Sequence, residues 1–145
     1  PIPVAGCLGF ETMWGDFNNV EYIQWGLQYR VDEGMWNARI RYNPVLETLS
    51  YEESDSVYVG FASDINLRMT EYPTRCFKLV ADFDEHTYVR VIVNDVTYLL
   101  GDKSIWWAGI PGPRYVEAMF TVKSKAGLAG VACVDSMIVT QNEPK

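Results

Sequence analysis

The chain has 145 residues and sets 12 Lys and Arg against 19 Asp and Glu, a formal net charge of -7. That balance opposes contact with phosphate backbones or anionic membranes over any broad surface, so neither nucleic acid nor membrane is an expected partner. The length suits one domain over 1–145 that buries a core without disulfides, and Cys7, Cys76 and Cys133 can neither all pair nor match the spacing of a zinc site.

Free thiols, with no signal-like start and no apolar run near ~18 residues, favour a cytoplasmic over a secreted location. Pro1 is a terminal secondary amine able to act as base or nucleophile, but no βαβ pattern follows it and Pro3 would disturb an opening strand. Residues 21–31 and 35–43 flank Asp32-Glu33-Gly34, which reads as a hairpin connection whose Gly34 can take a positive φ. Alternation divides the second strand into Trp36, Ala38, Ile40 and Tyr42 on one side and Asn37, Arg39, Arg41 and Asn43 on the other. In the first strand Ile23, Trp25, Leu27 and Tyr29 oppose Tyr22, Gln24, Gln28 and Arg30.

Glu52, Glu53 and Asp55 read as a solvated turn before a strand at 56–62, and 64–73 as an irregular connection or one short helical turn. The clearest hairpin joins 76–83 to 87–94 through Asp84-Glu85-His86. Phe77, Leu79, Ala81 and Phe83, then Val89, Val91 and Val93, form its buried face, leaving Lys78, Asp82, Arg90 and Asn94, mixed with Val80, Tyr88 and Ile92, on the other, partly wetted face. His86 is the single histidine, which excludes a His-based metal cluster, and the acids of this turn fall short of a calcium loop. No metal and no cofactor is expected.

A short strand at 96–100 precedes 105–113, where Gly109, Pro111, Gly112 and Pro113 argue for a long unpaired loop carrying Trp106 and Trp107. Residues 115–124 and 131–140 alternate again, with Phe120 and Val131 assigned to the core. About eight strands with regularly spaced turns indicate an all-β fold, an antiparallel two-sheet jelly-roll-like sandwich rather than βαβ units.

The stretch FKLVADFDEHTYVRVIVNDVTYLLGD, followed later by VEAMFTVKSKAGLAGVACVDSMIVTQNE, resembles the closing strands of concanavalin A-like and laminin-G-like sandwiches, and WGLQYRVDEGMWNARIRYNP is similar to sheet strands of bacterial proteins of that architecture. The resemblance spans residues 21–141 and implies a sandwich more firmly than an activity. Such domains open with further strands, for which 1–20 is short; a trimmed start or a sheet edge covered by a partner chain is the implied consequence.

Function is read from two places. Gln24, Gln28, Asn37, Arg39 and Arg41 bring amides and guanidinium groups to one sheet face, which suits hydrogen bonding to the hydroxyls and carboxylates of a carbohydrate. Trp106 and Trp107 offer stacking surface, since adjacent loop aromatics point in different directions. A solvated face with its arginines paired to acids, and a tryptophan that merely plugs the core, are the competing accounts. The leading expectation is a non-catalytic carbohydrate-binding module preferring anionic sugars. A homo-oligomeric interaction module and a glycan-active enzyme are the alternatives, although no paired carboxylates stand at a recognisable hydrolytic separation.

Overall fold

The computed structural model describes residues 6–67 and 75–145; Pro1 and most of the 64–73 connection lie outside them. The described residues hold eleven strands and no helix: β1 (Cys7–Asn18), β2 (Val20–Val31), β3 (Gly34–Asn43), β4 (Thr48–Ser54), β5 (Val57–Ala62), β6 (Arg75–Asp82), β7 (Thr87–Val93), β8 (Val96–Leu99), β9 (Trp106–Ala108), β10 (Tyr115–Ser124) and β11 (Val131–Gln141). One sheet, A, runs β11-β1-β6-β7-β8; the other, B, runs β10-β2-β3-β4-β5, with β9 also on β3. All pairings are antiparallel, and the two sheets form a sandwich.

All eight expected strands are present, and three more were missed. β1 lies within 1–20, a stretch short for the several opening strands the resemblance implies, and it pairs in register with β6 from Cys7↔Asp82 to Trp14↔Arg75. β4 replaces the expected solvated turn. Leu49 and Tyr51 face the core, and Glu52, two residues from Ser50 on the opposite face, is 1 % exposed. β9 lies inside the supposed unpaired loop, because Trp106 and Trp107 precede the glycine and proline run and reach β3.

The core begins from the aromatic residues of both sheets. Trp14 stacks on Phe77 with ring centroids 3.7 Å apart, and Trp25 meets both rings edge-on. Such pairs add to the burial of apolar area that drives association of the two layers. Ile23, Leu27, Ala38, Ile40 and Tyr42 are buried beneath sheet B, so the two faces of the β2–β3 hairpin divide as their alternation requires.

Several placements differ from the sequence reading, among them Asp82, expected outside yet 1 % exposed because its carboxylate turns in to the backbone of the 83–86 turn. Val89 is only half-buried, because the β6–β7 register steps from Val80↔Arg90 to Ala81↔Tyr88 and leaves Val89 as the extra residue of a bulge. The bulge turns Tyr88 into the core instead. Val131 is 59 % exposed, since it sits on the free edge strand β11, and Phe120 is partly buried against the core. Gly34 takes no positive φ; its need for glycine is steric, for an added Cβ would lie 2.5 Å from the Trp107 ring and 2.4 Å from the Ala108 carbonyl oxygen.

Tyr88 does more than fill volume. On one edge β3 pairs with β9 through residues 35–37 and with β4 through 40–43, leaving a gap at Arg39. The Tyr88 hydroxyl enters that gap from the other sheet, accepting from the Arg39 N–H at 3.1 Å and lying 2.9 Å from the Glu52 carbonyl and 3.2 Å from that of Arg39. Buried backbone groups without a partner are costly, so this hydroxyl completes what neither short strand can.

Candidate functional site

The outer face of sheet B gathers six of the seven residues singled out from sequence. Cross-strand partners share a face, so the registers Gln24↔Arg41, Gln28↔Asn37 and Asn37↔Trp106 place these five side chains together, and Arg39 alternates onto the same side. Trp107 pairs with Trp36 and therefore falls on the opposite face. There it covers Gly34 and lies 4.8 Å from the Trp36 ring, which itself stacks on His86 at 3.7 Å. His86 is a turn residue with φ 56°.

Two clusters compose the face. In the first, Arg39 donates through Nη1 to Glu52 Oε1 at 3.3 Å and through Nη2 to Asn37 Oδ1 at 3.1 Å. The Gln28 amide can be placed two ways, and only the turned-over one suits Glu117 and Arg39, since in the other its nitrogen faces the Arg39 guanidinium and its oxygen the Glu117 carboxylate. In that other one, Nε2 donates to Asn37 Oδ1 at 2.5 Å; turned over, its nitrogen reaches Glu117 Oε2 at 3.2 Å and its oxygen meets the Arg39 guanidinium. Gln28, Asn37 and Glu52 are buried, so this cluster is held internally and Arg39 is neutralised. Gly26 opens the space for it, since an added Cβ would stand 2.8 Å from Arg39 Cγ.

The second cluster surrounds Arg41. Its guanidinium carbon lies 3.9 Å from the Tyr22 ring centroid and 3.5 Å from that of Tyr58, contacts in which the ring faces attract the cation. Arg41 Nη2 and the Tyr58 hydroxyl both donate to Gln24 Oε1, at 3.2 and 2.7 Å. Burial and the nearby Glu52 carboxylate push the Tyr58 hydroxyl up to about 12, so it remains a donor well above neutral pH. No carboxylate among the described residues forms an ion pair with Arg41. Its positive charge is thus oriented by rings and an amide and is not cancelled by an acid.

Tyr58 and Glu52 are the members that the sequence reading left out. The signal for Tyr58 was present, because in a strand with Val57, Val59 and Phe61 it alternates to the outer side. Glu52 was concealed by its neighbours: Glu53 and Asp55 made an acidic run that resembled a turn. Trp106 lies in line with Asn37, four residues along β3 from Arg41, about 13 Å at strand spacing. The Asp82 carboxylate, by contrast, accepts from the backbone of Asp84 and Glu85 at 3.0 and 3.2 Å, a turn-closing role. Among the described residues no group of three His, Cys, Asp or Glu is placed to hold a metal ion, and all three cysteines are free.

Comparisons with family models, with curated proteins and with solved structures return no match to this chain.

Proposed function

We propose that the protein is a non-catalytic recognition module of concanavalin A-like or laminin-G-like type that binds carbohydrate on the outer face of sheet B. The observation that carries this reading is Arg41, a cation clasped by Tyr22, Tyr58 and Gln24 with no acidic partner among the described residues. A guanidinium fixed in advance loses little freedom on engaging a carboxylate or a pair of hydroxyls. Gln28, Asn37 and Arg39 then serve as the floor of the site, while Gln24 and Arg41 touch the ligand. Trp106 supplies a stacking surface about 13 Å along the strand, a span suited to an oligosaccharide. The charge on Arg41 selects sugars bearing a uronic or other acidic group.

A glycan array followed by calorimetry tests this. Arg41→Ala should abolish binding of an acidic oligosaccharide with the β-sheet circular dichroism unchanged, and raised salt should weaken the wild-type affinity. A glycan ligand whose affinity survives Arg41→Ala would move the site elsewhere.

A further inference from the structure

Among the described residues the two sheet paths end at β5, β8, β10 and β11, with the three-residue β9 set apart on β3. Three of those ends carry features that discourage pairing with another chain. β8 has only four residues, β5 departs twice from regular register against β4, and β10 bears Glu117 and Lys123 with a register step at its end. β11 also steps out of register twice against β1, but only at Asp135 and earlier; residues 136–141 carry none of these features. The strand is eleven residues long, contains no proline, and carries Asp135 as its single charge.

Its side chains are also uncovered. Val139 and Met137 pair with Phe10 and Thr12, whose side chains are buried in the core, so all four share the core-facing side. Yet Met137 is 53 % and Val139 48 % exposed, and Ile138 on the outer side is 47 % exposed. On the facing edge of sheet B, Val116, Ala118, Phe120 and Val122 reach only partial burial. Among the described residues the sandwich is therefore open to solvent between β10 and β11, along an apolar seam bordered by two strands whose outer edges take no partner.

We infer that a second copy of this chain closes the seam, by antiparallel pairing of β11 with β11 about a two-fold axis. The self-complementary register of this strand selects that occupant, and charge limits where it can sit. A chain of net charge -7 repels its copy over most of its surface, and this edge offers a long strand with one acid. Residues directly opposite in an antiparallel pair lie on the same face, so the axis passes through a residue position. Placed at Ile138, it sets Met137 against Val139 of the second copy, Ser136 against Thr140, and Asp135 against Gln141. Apolar meets apolar on both faces, and no like charges are opposed. Residues 136–141 pair regularly with β1, so the strand is straight where the copy would add. Sheet A then continues through both copies, and the Arg41 face of sheet B remains clear in each. The inference does not depend on what that face binds.

Sedimentation equilibrium over a wide concentration range reads this directly. Wild-type protein should form a reversible dimer. Ile138→Lys sets like charges opposite each other at the axis and should weaken the dimer at least about tenfold, equivalent to ~1.4 kcal/mol, without altering circular dichroism. In a Cys133→Ser background, Ile138→Cys should oxidise to a disulfide-linked dimer, because residues opposed at such an axis have Cα atoms roughly 4.5 to 5.5 Å apart. A wild-type monomer at every concentration overturns the inference, as does pairing of that monomer with an unrelated strand peptide. So does a dimer that ignores Ile138→Lys, or one in which Ile138→Cys fails to cross-link.

Discussion

On the outer face of sheet A, Lys78 and Arg90 converge on Glu143, at 2.7 and 3.3 Å. On the outer face of sheet B, Glu52 holds Arg39 at 3.3 Å, while Arg41 rests against tyrosine rings and finds no acid among the described residues. Both faces are polar and both carry arginine, so composition does not tell them apart. What separates them is whether each cation has a carboxylate. Cations held by an acid fasten one strand or tail to another; one oriented without an acid retains its capacity to attract a ligand.

The core beneath both faces sets the scale for testing this contrast. Truncating the fully buried Phe77 to Ala removes a ring that contacts Trp14 and Trp25, and should cost about 3 to 5 kcal/mol in equilibrium unfolding. A change under ~1 kcal/mol would show that the layers are not held at this cluster.

Glu52→Gln attacks the neutralised half of sheet B. It removes the buried charge opposite Arg39 and weakens the acceptor for the Ser56 N–H, and should cost about 2 to 3 kcal/mol in urea unfolding. With its partner gone, Arg39 should strengthen binding of acidic sugars on this face. Unchanged stability and unchanged binding together would mean that Glu52 does not determine which arginine is available.

The smallest effect belongs to sheet A. Burial alone would raise the Glu143 carboxyl, but hydrogen bonds from Lys78 and the Thr140 hydroxyl outweigh it and bring the group below its ordinary 4.5. A carboxylate lowered in the folded state contributes stability that is present above the unfolded value and is lost as pH falls through the folded one. The gap between wild type and Glu143→Gln in unfolding midpoints should therefore be seen at neutral pH and vanish under acid conditions. Asp82, also lowered despite its burial because of Lys145 and the Glu85 and Asp84 amides, should keep a residual acid slope in the variant. A gap that is constant with pH would place the ion pair outside the stability of this face.

Alternation was legible wherever a strand has one dry face, which is why the β2–β3 and β6–β7 hairpins emerged from sequence with their faces assigned. It failed where a second influence overrode it. The bulge at Val89 shifts phase by one residue, and no residue type announces that shift. β1 was obscured by its position near the start of the sequence, β4 by its acids, and β9 by its brevity beside Gly109 and Pro111. The five β2 and β3 residues of the candidate site could be grouped because they lie on adjacent strands of one hairpin. Tyr58 and Glu52 come from β5 and β4, and only the order of strands in sheet B brings them to Arg41 and Arg39.

That order also governs when the sandwich can assemble. β1 pairs with β11 and β2 with β10, so each sheet takes a strand from near the start of the sequence and another from near its end. During synthesis the first strands must wait, unpaired on one side, until the last have left the ribosome. Pairings so distant along the chain are slow to form, because a long loop must close before any contact rewards it. Until then, the edge of β1 that later receives β11 is open to pairing with other chains, and that interval is when aggregation competes most with folding.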